Sequence, residues 1–306
     1  MNEPVYLCSS PVKEMSSPTS YHERKYPAFF NGKKLWVVSR HEKHLYIAPP
    51  LVAATGLEVE PFTEIDTDLL GTFSGEVERT MAPLDCAREK CRLAAAYFSD
   101  GYLLASEGSF GPHPAFGLLS AGEEWLVFYD IAEKKEIIVR AVTLDTCFRG
   151  EKITDEATCL SFLEQVGFPL QKVIVKSSQH QPARIIKHLE HTADVIHAMQ
   201  EITEQYGDCF IETDMRAMNN PTRQRHLLQL GTKLAEKLCS VCDQCGWYGF
   251  SVARVERGLP CSWCGTPTEG VLYEVSSCSQ CGFEKENYFP RGKQQEDPQF
   301  CNQCNP

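Results

Sequence analysis

The chain has 306 residues and a formal net charge of −11 at pH 7, from 30 Lys and Arg against 41 Asp and Glu. This length suits two domains, the 42% of hydrophobic residues excludes global disorder, and the acidic balance disfavours generic nucleic-acid binding. The sequence contains no apolar run of membrane-spanning length and no signal-peptide pattern at its start, so we expect a cytoplasmic protein.

Residues 1–30 are rich in Ser, Pro and charge, and we predict a loosely ordered extension there. The next stretch, 31–150, has short apolar runs typical of buried strands, separated by segments with helical spacing. Its predicted elements in chain order are strand 34–39, a helix from Pro49 to Gly56, strand 57–62, a helix capped by Thr80 that starts near Pro83, strand 102–107, a loop at 108–114, and a hairpin of 124–130 with 136–142. The first strand, helix and second strand form a βαβ pattern.

A second α/β stretch is predicted over 151–238. Its elements are a helix capped by Thr154 and ending at Val166, strand 172–177, a helix capped by Thr192 and ending at Tyr206, strand 209–214, and a helix that starts at Pro221 behind Asn219 or Asn220 and ends near Leu238. Alternating strands and helices predict an α/β fold, with a mixed or largely parallel sheet flanked by helices. The pattern leaves open whether the two stretches form one domain or two lobes.

The last 68 residues, 239–306, hold nine of the 15 cysteines. Such clustering in a cytoplasmic protein indicates metal binding rather than disulfides. Eight of these cysteines form four Cys-x-x-Cys pairs, which are Cys242/Cys245, Cys261/Cys264, Cys278/Cys281 and Cys301/Cys304. Three pairs are followed directly by glycine, which suits the positive φ of a knuckle turn. We therefore predict a double zinc ribbon that binds two structural zinc ions.

Several features of this tail leave alternatives open. The simplest pairing is sequential, with the first two knuckles on one ion and the last two on the other, but an interleaved pairing of first with third is the alternative. Cys239 is either a spare thiol or part of an alternative knuckle with Cys242. Trp247, Tyr248 and Trp263 could stack on bases, but the net charge of −3 over 239–306 favours a protein partner or intramolecular packing.

A first group of polar residues follows the predicted strands of 31–150. Ligands bind beyond the carboxyl ends of strands in open α/β sheets, and carboxylates beside a lysine suit Mg²⁺–phosphate chemistry. The predicted catalytic residues of this group are Lys43, Glu78 and Glu107, and the predicted ligand-binding residues are Ser109 and His113. Their predicted ligand is a phosphorylated small molecule, with Mg²⁺ as a candidate cofactor. The alternative is that they are solvated loop residues.

A second group lies in ETDMRAMNNPTR, residues 212–223, which leads from a strand end into a helix N-terminus. The predicted catalytic residues are Asp214 and Arg216, and the predicted ligand-binding residues are Glu212, Asn220 and Arg223. A helix N-terminus with two arginines favours an anion. The alternative is a capping and salt-bridge network without a ligand.

Residues 33–145 resemble the inosine/xanthosine triphosphatase fold. In that comparison VVSRHEK (37–43) is similar to the phosphate-binding turn, ERTMAPLDCAREKCRLAAA (78–96) to the acidic residue and its helix, and LASEGSFG (104–111) to a second acidic loop. Arg40 and His41 depart from the pattern, since they replace its Asn region. The resemblance implies hydrolysis of nucleoside triphosphates.

Five sequence blocks together resemble a bacterial family of domains of unknown function with a cysteine-rich C-terminal segment. They are GTFSGEVERT (71–80), ASEGSFGPHP (105–114), ETDMRAMNNPTR (212–223), GLPCSWCGTPT (258–268) and CNQCNP (301–306). The resemblance implies that the knuckles and the two polar loops belong to one module, and it implies no reaction. Two function classes therefore remain: an enzyme acting on a nucleotide or another phosphorylated small molecule, and a binding or scaffolding protein whose zinc tail docks a protein partner.

Overall fold

The computed structural model describes residues 29–67, 80–113, 117 and 119–306 of the chain. These residues form three β-sheets, with five, four and three strands, and helices that cover the first two. The predicted α/β class, with a mixed sheet flanked by helices, is confirmed. The predicted catalytic residue Glu78 and most of the block 71–80 lie outside the described residues.

The first sheet has the strand order β2-β1-β3-β4-β5. Its elements are β1 (Lys34–Val38), α1 (His44–Thr55), β2 (Glu58–Phe62), α2 (Pro83–Ala94), β3 (Tyr102–Pro112), β4 (Ser120–Asp130) and β5 (Lys135–Thr143). Strand β1 pairs in parallel with β2 and with β3, whereas β3, β4 and β5 pair antiparallel. The sheet is therefore mixed, and the predicted βαβ unit is present.

Helix α1 begins at His44, so the predicted start at Pro49 was wrong. Proline inside a helix removes a backbone hydrogen bond, which is why it is normally expected at the first helical position. Ile47 and Leu51 are fully buried in the core that α1 shares with the last long helix, and this packing stabilises the longer helix. The helix ends as predicted at Gly56, whose φ of 69° lies in the left-handed region.

Strand β3 runs on to Pro112, so the predicted loop at 108–114 was wrong over its first five residues. The reason is non-local, because β4 pairs with the whole of β3, from Tyr102 opposite Asp130 to Pro112 opposite Ser120. Gly108 and Ser109 are therefore strand residues. They do not form the flexible loop that the glycines indicated.

The second sheet has the order β6-β9-β7-β8 and is antiparallel throughout, whereas the sequence predicted a mixed or largely parallel sheet. Its elements, with the helix that follows them, are β6 (Gly150–Ile153), α3 (Glu156–Val166), β7 (Val173–Lys176), β8 (Ile185–Ile186), α4 (Thr192–Tyr206), β9 (Cys209–Thr213) and α5 (Pro221–Cys239). Strand β9 lies between β6 and β7. The alternation of strands and helices in the sequence therefore predicted the elements of this sheet but not the relative directions of its strands.

Three predicted N-caps differ from the structure by one or two residues. The cap positions are held by Ala82 instead of Thr80, by Asp155 instead of Thr154, and by His191 instead of Thr192. Such shifts are common, because helix ends depend on local hydrogen bonds that residue type alone does not determine. Asn220, one of the two predicted caps of α5, does accept a hydrogen bond from Arg223 N.

Two hydrophobic cores lie on opposite faces of the first sheet. One face packs against α1 and α5, and the other packs against α2. The second sheet has a core of its own with α3 and α4. Helix α5 therefore follows the second sheet in sequence but packs on the first sheet. The segment 212–223 leads into α5, so its end lies beside the first sheet. The division of 31–238 into two lobes stays a prediction.

The third sheet consists of β10 (Ser251–Arg257), β11 (Val271–Ser277) and β12 (Glu284–Tyr288), which pair antiparallel in that order. It contacts the first sheet through residues just before β10, where Tyr248 is buried in the core shared with α1 and α5. Within the described ranges, no helix combines the length and apolar character needed to cross a membrane.

Candidate functional site

The eight paired cysteines form two groups of four thiols. One group is Cys242, Cys245, Cys278 and Cys281, and the other is Cys261, Cys264, Cys301 and Cys304. Sγ–Sγ distances between knuckles are 3.6 to 3.9 Å, and all distances within a group are below 4.8 Å. A zinc ion about 2.3 Å from four tetrahedral thiolates holds the sulfurs about 3.8 Å apart, whereas a disulfide requires about 2.0 Å. Each group can therefore hold a metal ion such as zinc.

The pairing of the knuckles is interleaved, so the sequential pairing that we considered simplest is wrong. Fifteen residues lie between the first knuckle and the second, and seven of them form strand β10, which spans about 23 Å of extended chain. Strand β11 returns antiparallel and places the third knuckle beside the first, and β12 leads away again toward the fourth. The path of the strands decides the pairing, and the knuckle spacing is compatible with both arrangements.

The glycine after each of the first three knuckles has the conformation that the sequence indicated. Gly246, Gly265 and Gly282 have φ values of 71°, 74° and 73°. Each donates its N–H to the carbonyl of the first cysteine of its knuckle, at 2.8 to 3.0 Å. Left-handed φ suits glycine because it has no Cβ. The knuckles are thus locally encoded even though their pairing is not.

Cys239 belongs to neither group. Its Sγ lies 3.5 Å from the Ala54 carbonyl oxygen at the end of α1. The alternative knuckle with Cys242 is therefore wrong in this structure, and Cys239 is a spare thiol near the end of α5.

Cys91 and Cys159, which lie outside the tail, are buried thiols, and burial raises the pKa of the Cys91 thiol to about 12.

Two of the three aromatic side chains in the tail pack within the chain. Tyr248 is 2% exposed, and its hydroxyl donates to Asp130 Oδ2 at 2.5 Å. Burial, together with the Asp130 carboxylate, raises the pKa of Tyr248 far above its usual range. Trp247 stacks on Tyr248 with ring centroids 4.7 Å apart, whereas Trp263 is 80% exposed beside the second cysteine group. Trp247 and Tyr248 thus attach the first cysteine group to the β4–β5 hairpin.

A buried charged cluster lies where α1, α2 and α5 meet the first sheet. Its members, each at most 7% exposed, are Lys43, Lys90, Glu107, Glu124 and Arg223. Lys90 forms an ion pair with Glu107, and Arg223 Nε donates to Glu124 Oε1 at 2.5 Å. Fully ionised, the cluster has three positive and two negative charges. Charges are costly to bury, so a cluster with this imbalance is a candidate functional site.

Lys43 interacts electrostatically with each of the other four charged residues of the cluster. It lies at the N-cap position of α1, beyond the carboxyl end of β1, and its Nζ donates to the Ser106 carbonyl at 3.1 Å. Burial, aided by the positive charge of Arg223, lowers the pKa of Lys43 to about 7, against the opposing effect of Glu107 and Glu124. The amine can therefore exist in either protonation state near neutral pH.

The cluster lies at the topological switch point of the sheet. From β1 the chain passes through α1 on one face to β2, and it returns through α2 on the opposite face to β3 on the other side of β1. In open α/β sheets the crevice beyond the strand ends at such a point is the usual ligand site. Lys43 lies beyond the carboxyl end of β1, and Glu107 lies inside β3, just past the part of that strand that pairs with β1.

Gly108 of β3 lies against the ion pair that Arg223 of α5 forms with Glu124 of β4. A Cβ at this position would come within 2.5 Å of Glu124 Oε1 and 2.7 Å of Arg223 Nη2. Within the described part of the chain, Ser106 Oγ and Glu124 Oε2 are buried and have no hydrogen-bond partner. Buried polar atoms without a hydrogen-bond partner are rare in folded proteins. The glycine here makes room for side chains of the protein.

Asp214 and Arg216 form a compact network of their own. The Asp214 carboxylate accepts from the Arg216 backbone N–H, from both Nε and Nη2 of the guanidinium, and from Asn219 Nδ2. These contacts agree with the capping and salt-bridge alternative for these two residues. Asn220 takes part in a neighbouring set of bonds, because its amide accepts from Arg223 N and donates to the Asp214 carbonyl.

The remaining predicted site residues lie elsewhere. Glu212 pairs with Lys176 across β9 and β7 at 2.5 Å, and burial raises the pKa of the Glu212 carboxyl despite that lysine. Ser109 is a half-buried residue of β3, and His113 follows that strand. The structure therefore brings together Lys43, Glu107 and Arg223. Of the described residues, no further group of three or more His, Cys, Asp or Glu can hold a metal ion.

The model of one protein family matches residues 90–306, more than two thirds of the chain. The family is described as domain of unknown function DUF6671, and the chain belongs to it. The resemblance to a domain-of-unknown-function family is thereby confirmed, although the block 71–80 lies before the matched region. No curated protein matches the chain.

Proposed function

We propose that this member of the family is an enzyme that binds a phosphorylated small molecule over the buried charged cluster. The observation that carries the proposal is Lys43, a buried lysine at the topological switch point of the first sheet, in a cluster with an excess of positive charge. Burying that excess without a ligand is unfavourable, and an anion offsets it. The resemblance of 33–145 to the inosine/xanthosine triphosphatase fold supports a nucleotide as the substrate.

The members of the cluster have different roles in this proposal. Glu107 forms an ion pair with Lys90, and Glu124 forms one with Arg223, so these four charges are largely paired. Lys43 is the amine available to a substrate oxygen. With a pKa of about 7 it can donate a proton to a leaving oxygen or remove one from a nucleophile. We keep Mg²⁺ in the proposal as the ion that the phosphates of a substrate bring, and we assign no described carboxylate to it.

Ligand-induced thermal stabilisation tests the binding step. The probes are ATP, GTP, ITP, AMP and inorganic phosphate, each with and without Mg²⁺. We expect at least one nucleotide to raise the melting temperature of the wild-type protein, and Lys43→Met to abolish that shift. Lys134→Met is the matched control, because it removes the same charge from an exposed turn. Equal shifts for wild type and Lys43→Met would place the ligand elsewhere.

Release of phosphate or pyrophosphate from the same nucleotides tests the catalytic step. We expect release by the wild-type protein with Mg²⁺ and no release above the protein-free background in Lys43→Met, whereas Lys134→Met should release as much as the wild type. A protein that binds a nucleotide but releases nothing from any of them would be a nucleotide-binding protein. The triphosphatase proposal would then be wrong, and the partner-docking hypothesis for the tail would gain weight.

We further propose that both cysteine groups bind zinc and that these ions are structural. All four ligands of each group come from the protein, which leaves no coordination position for a substrate. The three short strands of the tail bury few side chains, so metal ligation would replace a core. A strong chelator should therefore release about two zinc ions per chain and unfold the tail, as followed by tail-specific proteolysis.

A further inference from the structure

A pocket of about 260 Å³ lies between the first sheet and the tail. Its walls include residues 136–138 of β5, Lys237 near the end of α5, and residues 251–253 of β10. No lining residue belongs to the buried charged cluster, so the pocket is separate from the proposed phosphate-binding site. Concave surfaces with a few polar groups are the usual form of a binding site.

Lys237 brings an uncompensated positive charge to this pocket. Its side chain is half-buried, and its Nζ donates to the Ile138 carbonyl, which also lines the pocket, at 3.2 Å. Burial alone lowers the pKa of this amine, and no carboxylate among the described residues forms an ion pair with it. Partial burial of an ammonium without a counter-charge is unfavourable, so the pocket favours an anionic group.

The other charged residue of the pocket is already paired. Glu136 lines the wall, and its carboxylate accepts hydrogen bonds from Nε and Nη2 of Arg88. This pairing compensates the charge of Glu136, which would otherwise repel an anion. Lys237 therefore determines the sign of the charge that the pocket attracts.

Two sheet edges border the pocket. Strand β5 ends the first sheet and β10 ends the third, and within the described ranges each pairs with another strand on one side only. The Ile138 carbonyl points away from β4, toward Lys237. The N–H and C=O of one strand residue point to the same edge, so the Ile138 N–H also faces outward. Such an edge offers main-chain hydrogen bonds to an extended peptide.

We propose that this pocket binds the free C-terminus of an extended peptide segment of a partner protein. The terminal carboxylate accepts from Lys237 Nζ and from the Ile138 N–H, and the preceding backbone lies between the edges of β5 and β10. The last side chain contacts Val252, which is 47% exposed on the pocket wall. A peptide is favoured over a free small carboxylate, because only a peptide backbone completes the hydrogen bonds of a sheet edge.

A peptide library tests this inference on the wild-type full chain. The probes are immobilised through their N-termini, have their last four residues randomised, and are made both with a free C-terminal carboxylate and as the C-terminal amide. We expect a subset of the free carboxylates to bind, and the amide of the best peptide to bind at least about 10-fold more weakly by calorimetry. The inference is wrong if no free carboxylate binds, if the amides bind equally well, or if inorganic phosphate displaces the peptide at equal concentration.

Substitutions on two walls locate the site. Lys237→Met should weaken binding of the best peptide by about 10-fold or more, because the ammonium is lost. Lys233→Met is its matched control, since Lys233 is exposed one turn earlier on α5 and does not line this pocket.

The exposed wall provides a test that holds even if Lys237→Met unfolds. Val252→Asp places a carboxylate beside the bound one and should weaken binding by about 5-fold, whereas its neutral counterpart Val252→Asn should not. Unchanged binding in either Lys237→Met or Val252→Asp would overturn the inference. Unchanged binding in Lys43→Met is expected, because the pocket shares no residue with the buried charged cluster.

Discussion

Arg223 at the start of α5 and Glu124 on β4 form an ion pair with 2.5 Å between Nε and Oε1, and their side chains are 1% and 6% exposed. Arg223 Nη1 also donates to the Met215 carbonyl. One guanidinium therefore joins the polar segment 212–223 to the first sheet. This contact connects the two groups of polar residues that are separate in the sequence.

Replacing Arg223 should be among the most destabilising single substitutions in the chain. Arg223→Met leaves the Glu124 carboxylate buried without its counter-charge, which typically costs about 3–5 kcal/mol in the free energy of unfolding. Arg225→Met is the control, because Arg225 pairs with Asp145 at a site where both side chains are 64% exposed. Exposed pairs are worth less than about 1 kcal/mol. Urea unfolding measures both, and similar losses would contradict the buried pair.

Gly108 should tolerate no side chain. Gly108→Ala places a Cβ within 2.7 Å of both Glu124 and Arg223, and neither side chain can move without losing the other. We expect a loss of about 1–3 kcal/mol, as for other overpacked cores. Gly111→Ala in the same strand meets nothing within 4 Å and should change stability by less than about 0.5 kcal/mol. Equal thermal shifts for the two variants would argue against close packing at Gly108.

Two members of the buried charged cluster were missed, although the sequence contains a signal for each. Lys90 lies three residues after Ala87 and four before Ala94, on the apolar stripe of α2. Glu124 alternates with Leu126 and Phe128, which are buried on the same face of β4. A charge at an inward position of a clear pattern indicates a buried, paired group.

Local patterns predicted most elements, and non-local pairing caused the main errors. The apolar run of β1 and the left-handed Gly56 are determined by neighbouring residues, and both were predicted. The extension of β3 depends on its pairing with β4, and the antiparallel second sheet depends on β9 entering between two earlier strands. Neither arrangement leaves a periodic signal in its own segment, so neither could be read from the sequence.

The hydroxyl of Tyr248 should be important for holding the tail against the first sheet. Tyr248→Phe removes its bond to the buried Asp130 carboxylate while keeping the ring, and hydrogen bonds to charged groups contribute about 1.5–3 kcal/mol. Tyr288→Phe, at a position 53% exposed, is the control. Limited proteolysis of the tail should accelerate in Tyr248→Phe only. Equal cleavage rates for both variants and wild type would show that the bond contributes nothing to docking.

Lys43→Met should stabilise the protein at neutral and acidic pH, and this advantage should shrink as the pH rises. The pKa of Lys43 is lowered from 10.5 to about 7 by burial. Between these values the unfolded chain holds a proton that the folded chain has lost, so wild-type stability rises with pH by up to about 1.4 kcal/mol per pH unit. The variant lacks this dependence. Urea unfolding of both proteins across this range measures the gap, and a gap that widens with pH would mean a raised pKa.

Paired serine substitutions distinguish the interleaved knuckles from the sequential arrangement. Cys242→Ser with Cys281→Ser changes one interleaved group only, so about one ion per chain should remain bound. Cys242→Ser with Cys261→Ser changes both groups, and no tightly bound ion should remain. The sequential arrangement predicts the reverse for each double variant, because it places Cys242 with Cys261. Cys239→Ser is the control and should keep the metal content of the wild type, because its thiol lies outside both groups. Metal analysis of the purified chains therefore tests the ribbon topology independently of any activity.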